Sequence, residues 1–149
     1  MFKLTRKTEY ALLALHELSN SGETNVTKVR DIATRNLIPF PVLAKVMQNL
    51  ARHNYVEPTQ GAKGGYQLHE NAMKTNMWQF LEEMEGPQGL ADCFIQASCE
   101  QLELCSIRSP LKELDRTIRR FFYEVQLKDI LAGSSNHSFG APSISGTNG

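Results

Sequence analysis

Apolar residues recur at helical spacing through most of the chain, and only two short runs look like strands. Residues 5–19 predict a first helix. Ala11, Leu12, Leu15 and Leu18 share one side, Thr5 stands at the N-cap position, and Ser21-Gly22 ends the run. Residues 27–35 predict a second, short helix capped by Thr27, with Val29, Ile32 and Ala33 facing inward. Leu37-Ile38-Pro39 breaks the pattern. A third helix starts near Phe40-Pro41, where proline suits the first turn. Its apolar side is Val42, Leu43, Val46, Met47 and Leu50, and its polar side is Lys45, Gln48, Asn49 and Arg52. Two short helices across a tight turn, the second polar and basic outward, form a helix-turn-helix pattern, although a small helical bundle has the same periodicity. Tyr55-Val-Glu and Tyr66-Gln-Leu flank the glycine-rich turn Pro58–Gly65, which predicts a β-hairpin. Behind a helix-turn-helix this hairpin reads as a wing. Its glycines let the backbone approach a phosphate, and Gln60 and Lys63 are placed to reach the backbone or minor groove. A surface hairpin with a mobile tip is the alternative.

Residues 74–85 predict another helix, with Trp78, Phe80, Leu81 and Met84 apolar. It ends in Glu82, Glu83 and Glu85, acids that oppose the helix dipole at its C-terminus. Over residues 110–125, Leu111, Leu114, Ile118, Phe121 and Val125 follow a 3-4-3-4 spacing, the seam of a helix that packs on another helix. Glu113/Arg116 and Asp115/Arg119 can pair along its polar side. The seam fits a homodimer, since helix-turn-helix proteins bind two half-sites as two-fold dimers; packing on the protein's own N-terminal part is the other use for it. Val125 to Leu131 is a short closing element. From Gly133 the composition predicts a flexible tail.

The expected fold class is therefore mainly α with a small β-hairpin, a winged helix-turn-helix followed by a long dimerisation helix. The expected organisation is a DNA-binding domain over 1–72 and a linker helix with a cysteine loop over 73–108. The dimerisation helix and closing element would cover 109–132, and a disordered tail 133–149.

Charge adds a little. The formal net charge is zero, but residues 1–70 carry nine Lys/Arg against six Asp/Glu, and residues 71–149 seven against ten. The basic half coincides with the proposed wing and third helix. No apolar run approaches the ~20 residues of a membrane span. The N-terminus lacks the apolar core of a signal peptide, so the expected location is cytoplasmic, with no membrane partner.

The cysteines add most. All three lie in Cys93-Phe-Ile-Gln-Ala-Ser-Cys99-Glu-Gln-Leu-Glu-Leu-Cys105, with five residues between neighbours. Steps of six on a helix rotate each thiol by about 240°, so a straight helix cannot aim all three at one point. An irregular loop can, and Gly86-Pro87 and Gly89 supply breakers for one. An odd count argues against a closed disulfide framework. Three thiolates are soft ligands suited to an iron–sulfur cluster, 2Fe–2S or 4Fe–4S. A zinc or thiol redox site is the alternative, though structural zinc draws on ligand pairs two to four residues apart, which this segment lacks. No histidine lies near the cysteines to activate a nucleophile, and no glycine-rich nucleotide motif is present, so the chain does not read as an enzyme.

Leu4-Thr-Arg-Lys-Thr-Glu-Tyr-Ala-Leu, Gly61-Ala-Lys-Gly-Gly-Tyr-Gln-Leu and the triplet Cys93, Cys99, Cys105 occur in an order that resembles the IscR and NsrR type of winged-helix repressors, the Rrf-two family. Glu85-Gly-Pro, Cys99-Glu-Gln and Cys105-x-x-Arg108 resemble its branch regulating SUF iron–sulfur assembly operons. The resemblance spans about residues 2–131. It implies a homodimeric regulator of operator DNA, a repressor of iron–sulfur assembly genes, with a cluster held by the three cysteines and one other ligand. Nitric-oxide or redox sensing is the near variant. IscR-like members have a histidine where this chain has Arg108. NsrR-like members use a carboxylate from the partner's first helix, and the matching residue here is Glu9; a first-turn acid also complements a helix dipole without any metal. His16 is the second choice, with His53, His69 and His137 farther down the list. The family's DNA contacts map onto Pro41, Ala44, Lys45, Gln48, Gln60 and Lys63. Ala44 stands where IscR-like proteins have an acid, which separates its operator preference from theirs.

Overall fold

Thr5 caps the first helix as its side chain allows. Its Oγ1 accepts the Thr8 N–H at 3.3 Å, and α1 runs Arg6–Asn20 with Ala11, Ala14, Leu15 and Leu18 buried. The computed structural model describes residues 3–22, 25–96, 99–133 and 139–140. Most of the expected flexible tail, His137 included, lies outside the described residues.

α2 is Val29–Arg35, shorter than its pattern suggested. Thr27 does not cap it. Its backbone is drawn into a bridge with Tyr66 instead, with Thr27 N donating to Tyr66 O at 2.8 Å and Tyr66 N to Thr27 O at 2.9 Å. This bridge ties the entry to α2 onto the hairpin and demands a glycine beside it. A Cβ on Gly65 would lie 2.3 Å from Thr27 O. Gly65→Ala is expected to destabilise the fold by about 2–3 kcal/mol, because backbone atoms cannot step aside as a side-chain tip can. Thermal unfolding checks this, and an unchanged midpoint would mean that the bridge is dispensable.

α3 is Phe40–Arg52, with proline in its first turn and Leu43, Val46, Met47 and Leu50 buried. Two expectations for its faces change. Val42 is exposed, and Asn49 is buried with Nδ2 donating to Met84 Sδ at 3.5 Å. The two residues lie two turns apart on one edge of the apolar stripe. Asn49 falls under a later helix, whereas Val42 lies beyond that cover. β1 (Val56–Thr59) pairs antiparallel with β2 (Gly65–Leu68) in the register Val56↔Leu68 to Thr59↔Gly65.

The helix expected over 74–85 starts later, as α5 (Met77–Glu85), and a separate short helix, α4 (Asn71–Lys74), precedes it. Thr75 is extended between them because its carbonyl accepts from Leu127 N at 2.9 Å, and Met77 N in turn donates to Val125 O at 2.8 Å. Asn76 then caps α5 through Gln79 N. α6 (Asp92–Ile95) is a single turn, α7 runs Arg108–Glu124, and α8 is Leu127–Leu131. α1 packs against α3, α5 and α8, and α5 against α7. Among the described residues no helix is long and apolar enough to cross a membrane.

Two of the three acids that end α5, Glu83 and Glu85, have partners elsewhere in the fold. Tyr55 OH donates to Glu83. Burial first, then this bond and the charge of Glu83, hold the Tyr55 phenol well above its usual pKa, so it remains a donor. Glu85 Oε1 accepts from Thr5 N at 2.8 Å, so this acid serves the N-terminal end of α1. Burial opposes the Glu85 carboxylate, but the Thr5 N–H, the Thr8 and Thr5 hydroxyls and the Lys7 charge outweigh it and hold the pKa below its ordinary 4.5. A depressed carboxyl pKa stabilises the fold fully above the unfolded value, and that contribution is lost as pH falls through the folded one. Glu85→Gln is therefore expected to flatten the acid-side loss of stability below about pH 4.5. Parallel acid titrations of the two proteins would reject this assignment if their curves ran together.

Candidate nucleic-acid interface and cysteine segment

α3 presents Pro41, Lys45 and Gln48 to solvent, with Ala44 half-buried beside them. The same face opens into a cleft of about 640 Å³ against α1, lined among others by Arg6, Lys7, Tyr10, Lys45 and Arg52. Arg6 is paired with Glu9 at 2.8 Å, and Lys7 Nζ donates to Met84 O at 3.3 Å. Reading the sequence helix by helix leaves Arg6 and Lys7 out of the interface. Only the α1–α3 packing, set by Ala11, Ala14 and the buried face of α3, brings them beside Lys45 and Arg52. At the turn between α2 and α3, Leu37 has φ 54° and is 91% exposed, an uncommon backbone conformation for leucine. Arg30 stacks over the Phe40 ring at 4.8 Å and braces the start of α3.

The hairpin projects Gln60, Gly61 and Lys63, all exposed. Its tip is tight: Gly64 N donates to Gly61 O at 2.9 Å, and Gly61 has φ 103°, which favours glycine. The arrangement offers polar and cationic groups on a helix that fits a major groove, with a second basic point on a hairpin at its side.

Cys93 lies in α6, Cys99 and Cys105 lie in the turns that follow, and Arg108 starts α7 three residues after Cys105. All three cysteines are free and half-buried. Among the described residues no three or more of His, Cys, Asp and Glu come together as a metal-holding group. Cys93, Cys99 and Cys105 are thus not gathered into one metal-holding group within the protomer, and as placed the three thiols do not form a ready cluster site; Glu9, expected to act from a partner subunit, lies on α1. Glu9 accepts from Arg6 Nη1 at 2.8 Å in a surface ion pair, a use that needs no metal. His16 is engaged at both ring nitrogens, Nδ1 with Leu131 O at 2.6 Å and Nε2 with Asn20 Nδ2 at 3.1 Å, so its observed work is joining α1 to the end of α8. Arg108 Nε is buried with no hydrogen-bond partner among the described residues, beside the cysteine segment.

Comparison with known proteins places these features in one family. Residues 4–133 match the Rrf2 family, described as iron-dependent transcriptional regulators, and the chain belongs to that family. It is 29% identical over 133 residues to a putative HTH-type transcriptional regulator of Aquifex aeolicus, covering 87% of this chain and 92% of that one. The fold is similar to CymR, the global cysteine regulator of B. subtilis, with a TM-score of 0.72 at 20% identity over 90% of this chain and 99% of that one. It is also similar to T. potens IscR, with a TM-score of 0.67 at 19% identity over 93% and 94% of the two chains. The protein is a DNA-binding transcriptional regulator and not an enzyme. Its mainly helical fold with a hairpin wing is the one expected from the hydrophobic pattern.

Proposed function

We propose that this Rrf2-type regulator binds operator DNA as a homodimer and receives its signal through the thiols of Cys93, Cys99 and Cys105. The observation that carries the reading is that all three cysteines are free, half-buried and confined to the irregular segment between α5 and α7, with none in the core. That no three of these donors come together among the described residues favours thiol chemistry, which needs at most a pair of sulfurs, over a preformed zinc or cluster site. Repression of iron–sulfur assembly genes by an iron–sulfur-bound form is the second reading, supported by the family's description as iron-dependent and by the soft donor set. It requires the segment to rearrange around its cofactor and, through Glu9 or another donor, to take a fourth ligand. The DNA contacts in either reading are Pro41, Ala44, Lys45, Gln48, Gln60 and Lys63.

One purification separates the readings. Protein prepared without oxygen is examined for visible absorbance, iron, sulfide and zinc, and its DNA affinity is compared before and after thiol oxidation. Colourless, iron-free protein whose affinity changes on oxidation supports the thiol reading. Brown protein with stoichiometric sulfide supports the cluster, and protein indifferent to both treatments overturns both.

Lys63→Ala is expected to weaken binding about equally on all DNA sequences and to lower the salt slope by about one. Gln48→Ala is expected to change base preference instead, because glutamine pairs with adenine in the major groove. An unaltered salt dependence for Lys63→Ala would remove the wing from the phosphate contacts.

A further inference from the structure

α7 carries an apolar seam, yet the residue that it buries is a carboxylate. Asp115 is 7% exposed. A charge in that position persists only when paired and hydrogen-bonded. Its Oδ1 accepts from Leu90 N at 2.7 Å, and its Oδ2 from Arg119 Nε at 2.6 Å. Arg119 Nη2 donates onward to Gln88 O at 2.8 Å, and the guanidinium lies 4.7 Å over the Trp78 ring of α5. Gly89, between the two held residues, has no room for a side chain: a Cβ there would lie 2.8 Å from Ile95 Cγ1 and 3.4 Å from Arg119 Nη2. One ion pair therefore grips the carbonyl of residue 88 and the amide of residue 90, and Gly89 between them lies close against Ile95 and Phe94 of the helix turn that contains Cys93.

We infer that Asp115 and Arg119 are positioning residues for the cysteine segment, clamping residues 88–90, and with them α6 and Cys93, onto α7. The inference rests on the reading of these thiols as the signal-receiving groups. The clamp joins them to the helix that carries the apolar seam, so a change at Cys93 that displaces α6 pulls on α7 directly. Arginine is specifically required. Its planar fork bonds Asp115 through Nε and Gln88 through Nη2 while stacking on an indole, and a lysine ammonium cannot make all three contacts.

The test measures alkylation of each thiol by iodoacetamide in the reduced full-length protein, resolved by mass spectrometry. Arg119→Lys is expected to speed reaction at Cys93 by about tenfold, the gain in local opening when a charge-assisted bond is lost, with changes within about twofold at Cys99 and Cys105. Emission from Trp78, the chain's single tryptophan, should change as the guanidinium leaves its face. Asp115→Asn keeps an acceptor for Leu90 N but holds Arg119 less firmly, so it should give a smaller acceleration at the same thiol. It also provides the comparison if Arg119→Lys does not fold. Equal acceleration at all three thiols would indicate a loosened fold, and altered emission with an unchanged Cys93 rate would indicate a contact that holds nothing; either result overturns the clamp. The functional reading is separable. If oxidation leaves the parent's DNA affinity unchanged, that reading fails even with selective acceleration at Cys93. If the parent responds and its Cys93 rate is insensitive to Arg119→Lys, only the clamp fails.

Discussion

Ile118→Glu is expected to convert the proposed dimer to monomer and to remove tight binding to paired half-sites. Within the protomer, α7 is only partly covered. Leu114 is 49% exposed, Leu111, Ile118 and Phe121 are half-buried, and the helix's buried residue is Asp115. A long helix with an apolar seam this open is covered by a second copy in the proposed dimer, in the manner of a two-stranded seam. A glutamate at the centre of that contact would be desolvated in each subunit, among the apolar residues of the seam. At about 2–4 kcal/mol per uncompensated charge, the dimer constant would rise by at least about a thousandfold. The loss of DNA affinity follows from geometry, because two recognition helices reach successive major-groove half-sites only when joined. Sedimentation at micromolar protein reads the first effect, and titration of single against paired half-sites reads the second. Single-site binding should survive, since the α3 face and the wing are untouched. A variant that remains dimeric with parental affinity would move the interface off α7.

The helix α7 and its 3-4 spacing were legible in the sequence because such a spacing needs no knowledge of the rest of the chain, although Val125 falls past the helix end and is buried in the core. The same holds for α1, for the start of α3 and for the hairpin, each specified by a cap, a proline or a glycine-rich turn. The features that escaped depend on partners distant in sequence. Thr27 has the right side chain to cap α2, yet its backbone pairs with Tyr66 across the hairpin. The helix expected from residue 74 begins only at Met77 because Thr75 is held extended by its pairing with Leu127. The acids at the end of α5 oppose their own helix dipole, and the conflict disappears once Glu85 is seen bonded to Thr5 at the start of another helix. Asp115 and Arg119 do pair as their i,i+4 spacing suggests, but facing inward onto the 88–90 stretch rather than along a solvated face. For the cysteine segment the spacing excludes a straight helix. Between Cys99 and Cys105 the path is set by turns with no periodic pattern, so the chemistry of the donors was readable and their arrangement was not.

Alanine at each cysteine in turn is expected to leave the fold intact and to separate the two chemical readings by the pattern of loss. None of the three belongs to the hydrophobic core, and each is half-buried, so removing one sulfur should cost no more than about 1 kcal/mol and shift the thermal midpoint by a few degrees. The signal response is a different matter. In the thiol reading the event is a disulfide, which consumes two sulfurs. Two of the three variants Cys93→Ala, Cys99→Ala and Cys105→Ala should then lose the affinity change on oxidation completely, while the third keeps it. In the cluster reading all three thiolates are ligands, and each variant should lose iron, sulfide and the response together. Zinc would give the same all-or-none pattern for its own retention, but without colour or sulfide. The measurement is the ratio of DNA affinities between the two redox states for the parent and the three variants, taken alongside metal content and melting temperature. A ratio that stays at the parental value in all three, with unchanged melting, would show that the cysteines carry no signal and would leave the DNA-binding assignment standing without a sensor.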